Sequence, residues 1–83
     1  MNEITPGWKH LSIGIEGAIV RIDGINPWKT EWRNKNKTII VAHPSYPNER
    51  HTMWVYEATS EGKTIQFAAG EYSNGVWGFY VPT

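Results

Sequence analysis

Residues 43–51, HPSYPNERH, concentrate side chains that could do chemistry. Ser45 lies two residues from His43, but the chain has no GxSxG elbow and no glycine-rich oxyanion loop to support a serine nucleophile. His43, Glu49 and His51 are metal-ligand types, yet their spacing matches no metal-binding motif. We therefore predict no catalytic residue, no metal and no cofactor here. The two prolines favour a stiff binding loop, because each fixes a backbone φ angle.

Two other chemical patterns are weaker. Gly62-Lys63-Thr64 matches the end of the phosphate-loop pattern GxxxxGK[ST], but Glu57 occupies the position of its first glycine and the following residues have strand character. Without a glycine-rich nest and a helix start, backbone amides cannot cradle a phosphate. Glu57 and Glu71 each lack a second carboxylate placed nearby by the sequence. We therefore predict a hairpin turn at this glycine and a protein that is not an enzyme.

Residues 28–37, WKTEWRNKNK, interleave aromatic rings with cations. Rings stack on nucleobases and cations contact phosphates, so this pattern favours a nucleotide or single-stranded nucleic acid. The alternative is structural, because strand alternation would bury both tryptophans and leave the charges in water. Combined with the proline-containing loop, the predicted ligand-binding set is Trp28, Trp32, Arg33, Lys35, Lys37, His43, Tyr46, Arg50 and His51.

The overall composition limits the possible architectures. The chain has 83 residues and no cysteine, so we predict one domain, residues 1–83, with a thin core and no disulfide. Five Trp, four Tyr and two Phe supply its bulk. The net charge is zero, but residues 28–51 carry five cations and two acids. This uneven distribution can steer an anion without marking a dedicated duplex binder.

The strongest structural signal is a C-terminal hairpin. Asn74-Gly75 separates two apolar runs, 64–73 and 76–81, and predicts a type I′ turn. A two-residue loop would place Ser73 opposite Val76 and Tyr72 opposite Trp77. In the same register, Gly70 would lie beneath the ring of Phe79.

Further strands are predicted at 51–58, 37–42 and 18–23, and residues 11–15 alternate apolar with small residues in a pattern that also fits a strand. Residues 26–33 fit two templates. Asn26-Pro27 could cap a short helix, whereas alternation and the polar turn at 34–36 favour a strand, which we prefer. The predicted fold is mostly β: a small antiparallel meander of five to seven short strands, forming a twisted sheet or small barrel, with one short helix near 27–33 as the alternative.

We expect a non-catalytic binding protein that captures or sequesters a planar anionic ligand, such as a nucleotide or nucleotide-derived signal. A protein-binding inhibitor or immunity-type protein is one alternative, and a single-stranded nucleic-acid binder is another. No leader or long apolar run is evident in the sequence, so we expect a cytoplasmic protein with no membrane partner. Self-association is also expected, because a thin core and open sheet edges both favour it.

Overall fold

A computed structural model describes residues 3–83. Five antiparallel strands form one sheet in the order β1-β5-β4-β3-β2. Their bounds are β1 Trp8–Ile15, β2 Arg33–Ala42, β3 Arg50–Ser60, β4 Lys63–Ser73 and β5 Val76–Pro82, with a 3-10 helix at Pro27–Lys29. The predicted mostly-β antiparallel fold is confirmed. Within the described residues, no helix has the length and apolar character needed to cross a membrane.

Each face of the sheet carries its own apolar core, because successive strand residues point to opposite sides. The face that we call the crossover face bears Ile65, Phe67 and Phe79, all buried. The opposite face, called the tyrosine face, bears Met53, Val55, Ala68 and Tyr80 in a second cluster. Trp8 and Tyr72 pack against that second cluster.

The crossover face is covered by the segment that joins β1 to β2. Val20, Ile22 and Ile25 of this segment pack against the sheet, which explains the apolar pattern that predicted a strand over 18–23. That strand prediction is wrong. The segment forms only a tight turn, in which Asp23 and Gly24 have φ angles of 52° and 81° and the single bridge joins Ile22 to Ile25.

The preferred strand interpretation of residues 26–33 is also wrong. The side chain of Asn26 accepts a hydrogen bond from the Trp28 N–H at 3.1 Å, and Pro27 occupies the first turn of the short 3-10 helix. This is the cap and proline pair of the helical alternative. The predicted turn at 34–36 is instead an irregularity inside β2, where Asn36 has a φ angle of 57°.

The C-terminal hairpin forms, but its register shifts after the first pair. Ser73 lies opposite Val76 as predicted, whereas Glu71, not Tyr72, lies opposite Trp77. A bulge at Tyr72 causes the shift, and it places Tyr72 and Trp77 on opposite faces. The turn has a positive φ angle at Gly75 but not at Asn74, so it is not type I′.

The predicted packing of Phe79 over Gly70 is replaced by another ring over another glycine. Gly70 lies opposite Gly78, and Phe79 lies opposite Ala69. Tyr72 packs over Gly78, where an added Cβ would come within 2.4 Å of the tyrosine ring. The sheet therefore uses Gly78 of β5, and not Gly70 of β4, to make room for an aromatic ring.

Candidate ligand-binding surface

The loop between β2 and β3 is held by a short internal network of hydrogen bonds. The N–H of His43 donates to the carbonyl of Glu49 at 3.0 Å, and the Glu49 N–H donates to Tyr46 at 2.8 Å. Ser45 donates its N–H to Nδ1 of His43 at 3.0 Å. Nδ1 is the acceptor in this bond, which fixes the orientation of the His43 ring. The loop is thus ordered by its own backbone.

Aromatic rings gather where this loop meets the tyrosine face. The His43 ring centroid lies 4.9 Å from that of Tyr46 and 4.6 Å from that of Tyr72. His51 lies 5.0 Å from Tyr72 and 5.9 Å from His43. We call His43, Tyr46, His51 and Tyr72 the histidine–tyrosine cluster. Its outer ring, Tyr46, is 62% exposed and offers a face on which a planar ligand could stack.

Charged groups flank the cluster. Nε2 of His51 lies 2.8 Å from Oε1 of Glu49. Arg50 directs its guanidinium to the carbonyl of Pro47, so its positive charge is held at the base of the loop. A shallow cavity of about 390 Å³ is lined by residues 45–49. That volume falls within the usual range for small-molecule sites.

A chain of hydroxyl groups anchors the cluster to the sheet. The Tyr80 hydroxyl donates to the carbonyl of Ala42 at 3.2 Å, so its oxygen must accept the proton of the Tyr72 hydroxyl, with which it is paired. Burial, together with Tyr80, raises the pKa of Tyr72 far above its ordinary value. Burial also raises the pKa of Tyr80. Both hydroxyls therefore stay protonated at neutral pH and serve as structural groups, not as general bases.

His10 brings the third histidine of the chain to the same face. Its ring centroid lies 5.3 Å from that of Tyr80. Burial lowers the pKa of His10; a backbone bond with Ser12 opposes this shift, and the charge of His43 adds to it. The folded protein thus favours the neutral form of this imidazole.

The pH dependence of stability follows from that direction. A lowered pKa means that the unfolded chain binds the His10 proton more readily than the folded chain, so the stabilising term is complete above the unfolded pKa of about 6.5. It is lost as the pH falls from there through the lower folded pKa. We expect the free energy of unfolding of the wild type to fall more steeply below about pH 6.5 than that of His10→Gln. Urea titrations of both proteins across this pH range measure the difference; parallel profiles would contradict the prediction.

The two tryptophans of the predicted site lie on the other side of the sheet. Trp28 and Trp32 pack on the crossover face, with their ring centroids 5.1 Å apart. Nε1 of Trp32 donates to the carbonyl of Pro27 at 2.7 Å. Trp32 also lies 5.1 Å from Phe67. Both tryptophans therefore pack against the core, which is the structural role given above as the alternative to ligand binding.

The predicted strand cations are separated from the loop. Arg33 bonds Oε1 of Glu57 at 3.2 Å, and Lys35 lies 3.7 Å from the same oxygen. Lys37 is exposed. Arg33 lies opposite Glu57 and Ala42 lies opposite Arg50, so at about 3.3 Å per residue roughly 23 Å of strand separate Arg33 from the start of the loop. Of the nine predicted residues, the structure brings together His43, Tyr46, Arg50 and His51.

Tyr72, Tyr80 and His10 also belong to this region, although they are not among the nine residues predicted from the sequence. Tyr72 lies on the tyrosine face by the regular alternation of β4, four residues after Ala68, and the bulge leaves Trp77 of the paired strand on the other face. Gly78 was the available signal, since a glycine in a strand marks close approach by another group. Among residues 3–83, no three His, Asp or Glu side chains are arranged to hold a metal ion.

No protein family, curated protein or solved structure matches this chain.

Proposed function

We propose that this protein is a non-catalytic binding protein that captures a small planar anionic ligand, such as a nucleotide or nucleotide-derived signal, at the histidine–tyrosine cluster. The observation that carries the proposal is the exposed Tyr46 ring, held by His43 at 4.9 Å in a loop with its own hydrogen bonds. Because the Tyr46 ring is already ordered before a ligand binds, less conformational entropy is lost on binding.

Charge at the loop supports an anionic ligand. Arg50 lies at the loop base and carries a permanent positive charge. The carboxylate of Glu49 lies 2.8 Å from Nε2 of His51 and reduces the positive potential on that side of the loop. We infer a ligand with a planar group for Tyr46 and one or two negative charges for Arg50.

The test is ligand-induced thermal stabilisation by mono-, di- and cyclic nucleotides. We expect a concentration-dependent shift for at least one of them with the wild type, because binding only the native state stabilises it. Tyr46→Ala and Arg50→Ala should each weaken binding about tenfold, or about 1.4 kcal/mol. Their melting temperatures without ligand should stay close to that of the wild type, since Tyr46 is mostly exposed.

Trp54→Ala is the matched control for this test. The Trp54 side chain is also exposed, at 45%. It lies on the opposite face of the sheet from its neighbours Met53 and Val55, which are buried on the tyrosine face. It should therefore leave nucleotide affinity unchanged. Absence of any shift at millimolar nucleotide with folded wild type, or unaltered binding by Tyr46→Ala, would rule out the proposed site.

A second candidate is a protein-binding inhibitor or immunity-type protein, and Trp54 is the observation that favours it. An exposed tryptophan within a sheet is a typical anchor of protein interfaces. Affinity capture with the wild type should then recover one stoichiometric protein, which Trp54→Ala loses and Tyr46→Ala retains. Single-stranded nucleic acid has less support, because Arg33 and Lys35 share the carboxylate of Glu57. The cytoplasmic location and the self-association remain predictions.

A further inference from the structure

The two edges of the sheet differ in how they are protected. At the β2 edge, the N–H of Thr5 donates to the Ile40 carbonyl and the Thr5 hydroxyl accepts from the Ile40 N–H, both at 2.9 Å. Lys35 and Lys37 stand exposed on the same strand. Covering segments and edge lysines are the usual means by which a sheet prevents another strand from adding to it. Within residues 3–83, no segment outside the sheet hydrogen-bonds to Ile13 at the centre of the β1 edge, and residues 10–15 include no lysine.

The outward backbone groups of β1 can be assigned from its pairing with β5. Glu16 donates its N–H to Gly75 at 2.9 Å, and Ile15 and Ile13 lie opposite Val76 and Gly78. Because the bonding direction alternates along an antiparallel pair, the N–H and C=O of Ile13 point away from β5. The Ile15 carbonyl accepts from Ala18 at 3.0 Å. Within residues 3–83, no hydrogen bond outside the strand pairing involves Ile13.

Exposed apolar side chains surround this open edge. Ile13 is 44% exposed and Ile15 is 70% exposed, although both lie within a strand. Ile19, at the start of the crossover, is 73% exposed and lines a small groove with Gly14 and Ile15. Exposed isoleucines beside unpaired backbone groups are typical of a strand edge that receives another strand.

The distribution of charge along β1 indicates that the strand that pairs with this edge comes from a second copy of the chain. Residues 12–15, Ser-Ile-Gly-Ile, carry no charge, so two such segments can face each other without repulsion. Lys9 lies towards one end of the strand and Glu16 follows the other. An antiparallel arrangement about a two-fold axis at Ile13 brings the Lys9 end of one copy to the Glu16 end of the other. The surface is thus complementary to itself, as a two-fold interface requires.

We propose that two copies of the protein pair antiparallel through β1, centred on Ile13, and form one continuous sheet across the dimer. The backbone of Ile13 in each copy supplies the central hydrogen bonds. The side chains of Ile13 and Ile15 from both copies lie on one face of the joined sheet. This dimer does not depend on the ligand proposed for the histidine–tyrosine cluster.

The first test is the molar mass in solution, measured by light scattering across the micromolar range. We expect a concentration-dependent dimer for the wild type and association about tenfold weaker, or more, for Ile13→Lys, because like charges would face each other across the axis. Ile4→Lys is the control, since Ile4 is 50% exposed and lies outside β1. A monomeric wild type, or a dimer that Ile13→Lys leaves intact, would overturn the proposal.

A second variant tests the register and does not rely on a charged substitution. The chain has no cysteine, so Ile13→Cys introduces a single thiol at the two-fold axis. Bonded antiparallel pairs have Cα atoms about 5.5 Å apart, a separation that a disulfide can span. Under mild oxidation, Ile13→Cys should form a covalent dimer, whereas Ile4→Cys should stay monomeric. Equal cross-linking of the two variants would contradict pairing through β1.

Discussion

Trp32→Ala is expected to lower the free energy of unfolding by about 3 kcal/mol, a large fraction of the stability of a domain of this size. The ring of Trp32 contacts Tyr56 and Phe67, with centroids 5.0 and 5.1 Å away, and also neighbours Trp28. Its indole N–H satisfies the Pro27 carbonyl at 2.7 Å. Truncation would leave a cavity and remove one hydrogen bond to the Pro27 carbonyl, which would still accept from the N–H and hydroxyl of Thr30. Urea unfolding monitored by circular dichroism measures the loss.

Trp54→Ala provides the comparison for Trp32, because it makes the same chemical change in a ring that is 45% exposed. We expect it to cost about 1 kcal/mol or less. Similar losses for the two variants would show that Trp32 is not the core residue described above. A Trp32→Ala protein with wild-type stability and impaired ligand binding would return this tryptophan to the predicted ligand site.

Gly78→Ala is expected to destabilise the fold by about 1–3 kcal/mol although it adds only one methyl group. The added Cβ would lie 2.4 Å from atoms of the Tyr72 ring. Tyr72 would have to move, which would break its hydrogen bond with Tyr80 and its contact with His43. The change should therefore also alter the histidine–tyrosine cluster. Urea unfolding measures the stability, and the imidazole NMR signals report on the cluster.

A double-mutant cycle isolates the cause of that loss. In a Tyr72→Ala background the ring that opposes the new methyl is absent, so Gly78→Ala should cost much less. We expect a coupling energy of about 1 kcal/mol or more between the two positions. Additive effects would mean that Gly78 is required for its backbone conformation alone, and not because the Tyr72 ring packs over it.

The strands and turns could be predicted locally because their signals are local. The aromatic and β-branched content of residues 51–58 predicted a strand, and β3 occupies Arg50–Ser60. Gly62 predicted a turn, and Glu61 and Gly62 have φ angles of 51° and 79°, as a tight hairpin turn requires. The segment 18–23 misled the prediction, because an apolar crossover buried against a sheet has a composition like that of a strand.

Only some of the predicted ligand-site residues lie near one another, because the local sequence does not specify the face of the sheet on which each residue lies. Trp28 and Trp32 are near the cations in sequence, but they pack on the crossover face. Arg33 is drawn to Glu57, a partner 24 positions away. The loop residues His43 and Tyr46 were grouped correctly by sequence, since a short proline-containing loop keeps its members close.

The sequence by itself determined a cysteine-free antiparallel β domain, its last three strands with their two turns, and a stiff loop carrying His43 and Tyr46. The tertiary structure alone decided the registers, the faces and the neighbours of that loop. The physical reason is the two-residue period of a strand: one bulge, such as that at Tyr72, changes which residues of two paired strands share a face, so that Tyr72 and Trp77 lie on opposite faces. Such a bulge depends on packing between strands that the local sequence does not encode. The same packing brings His10, far away in sequence, to the face that carries His43 and His51.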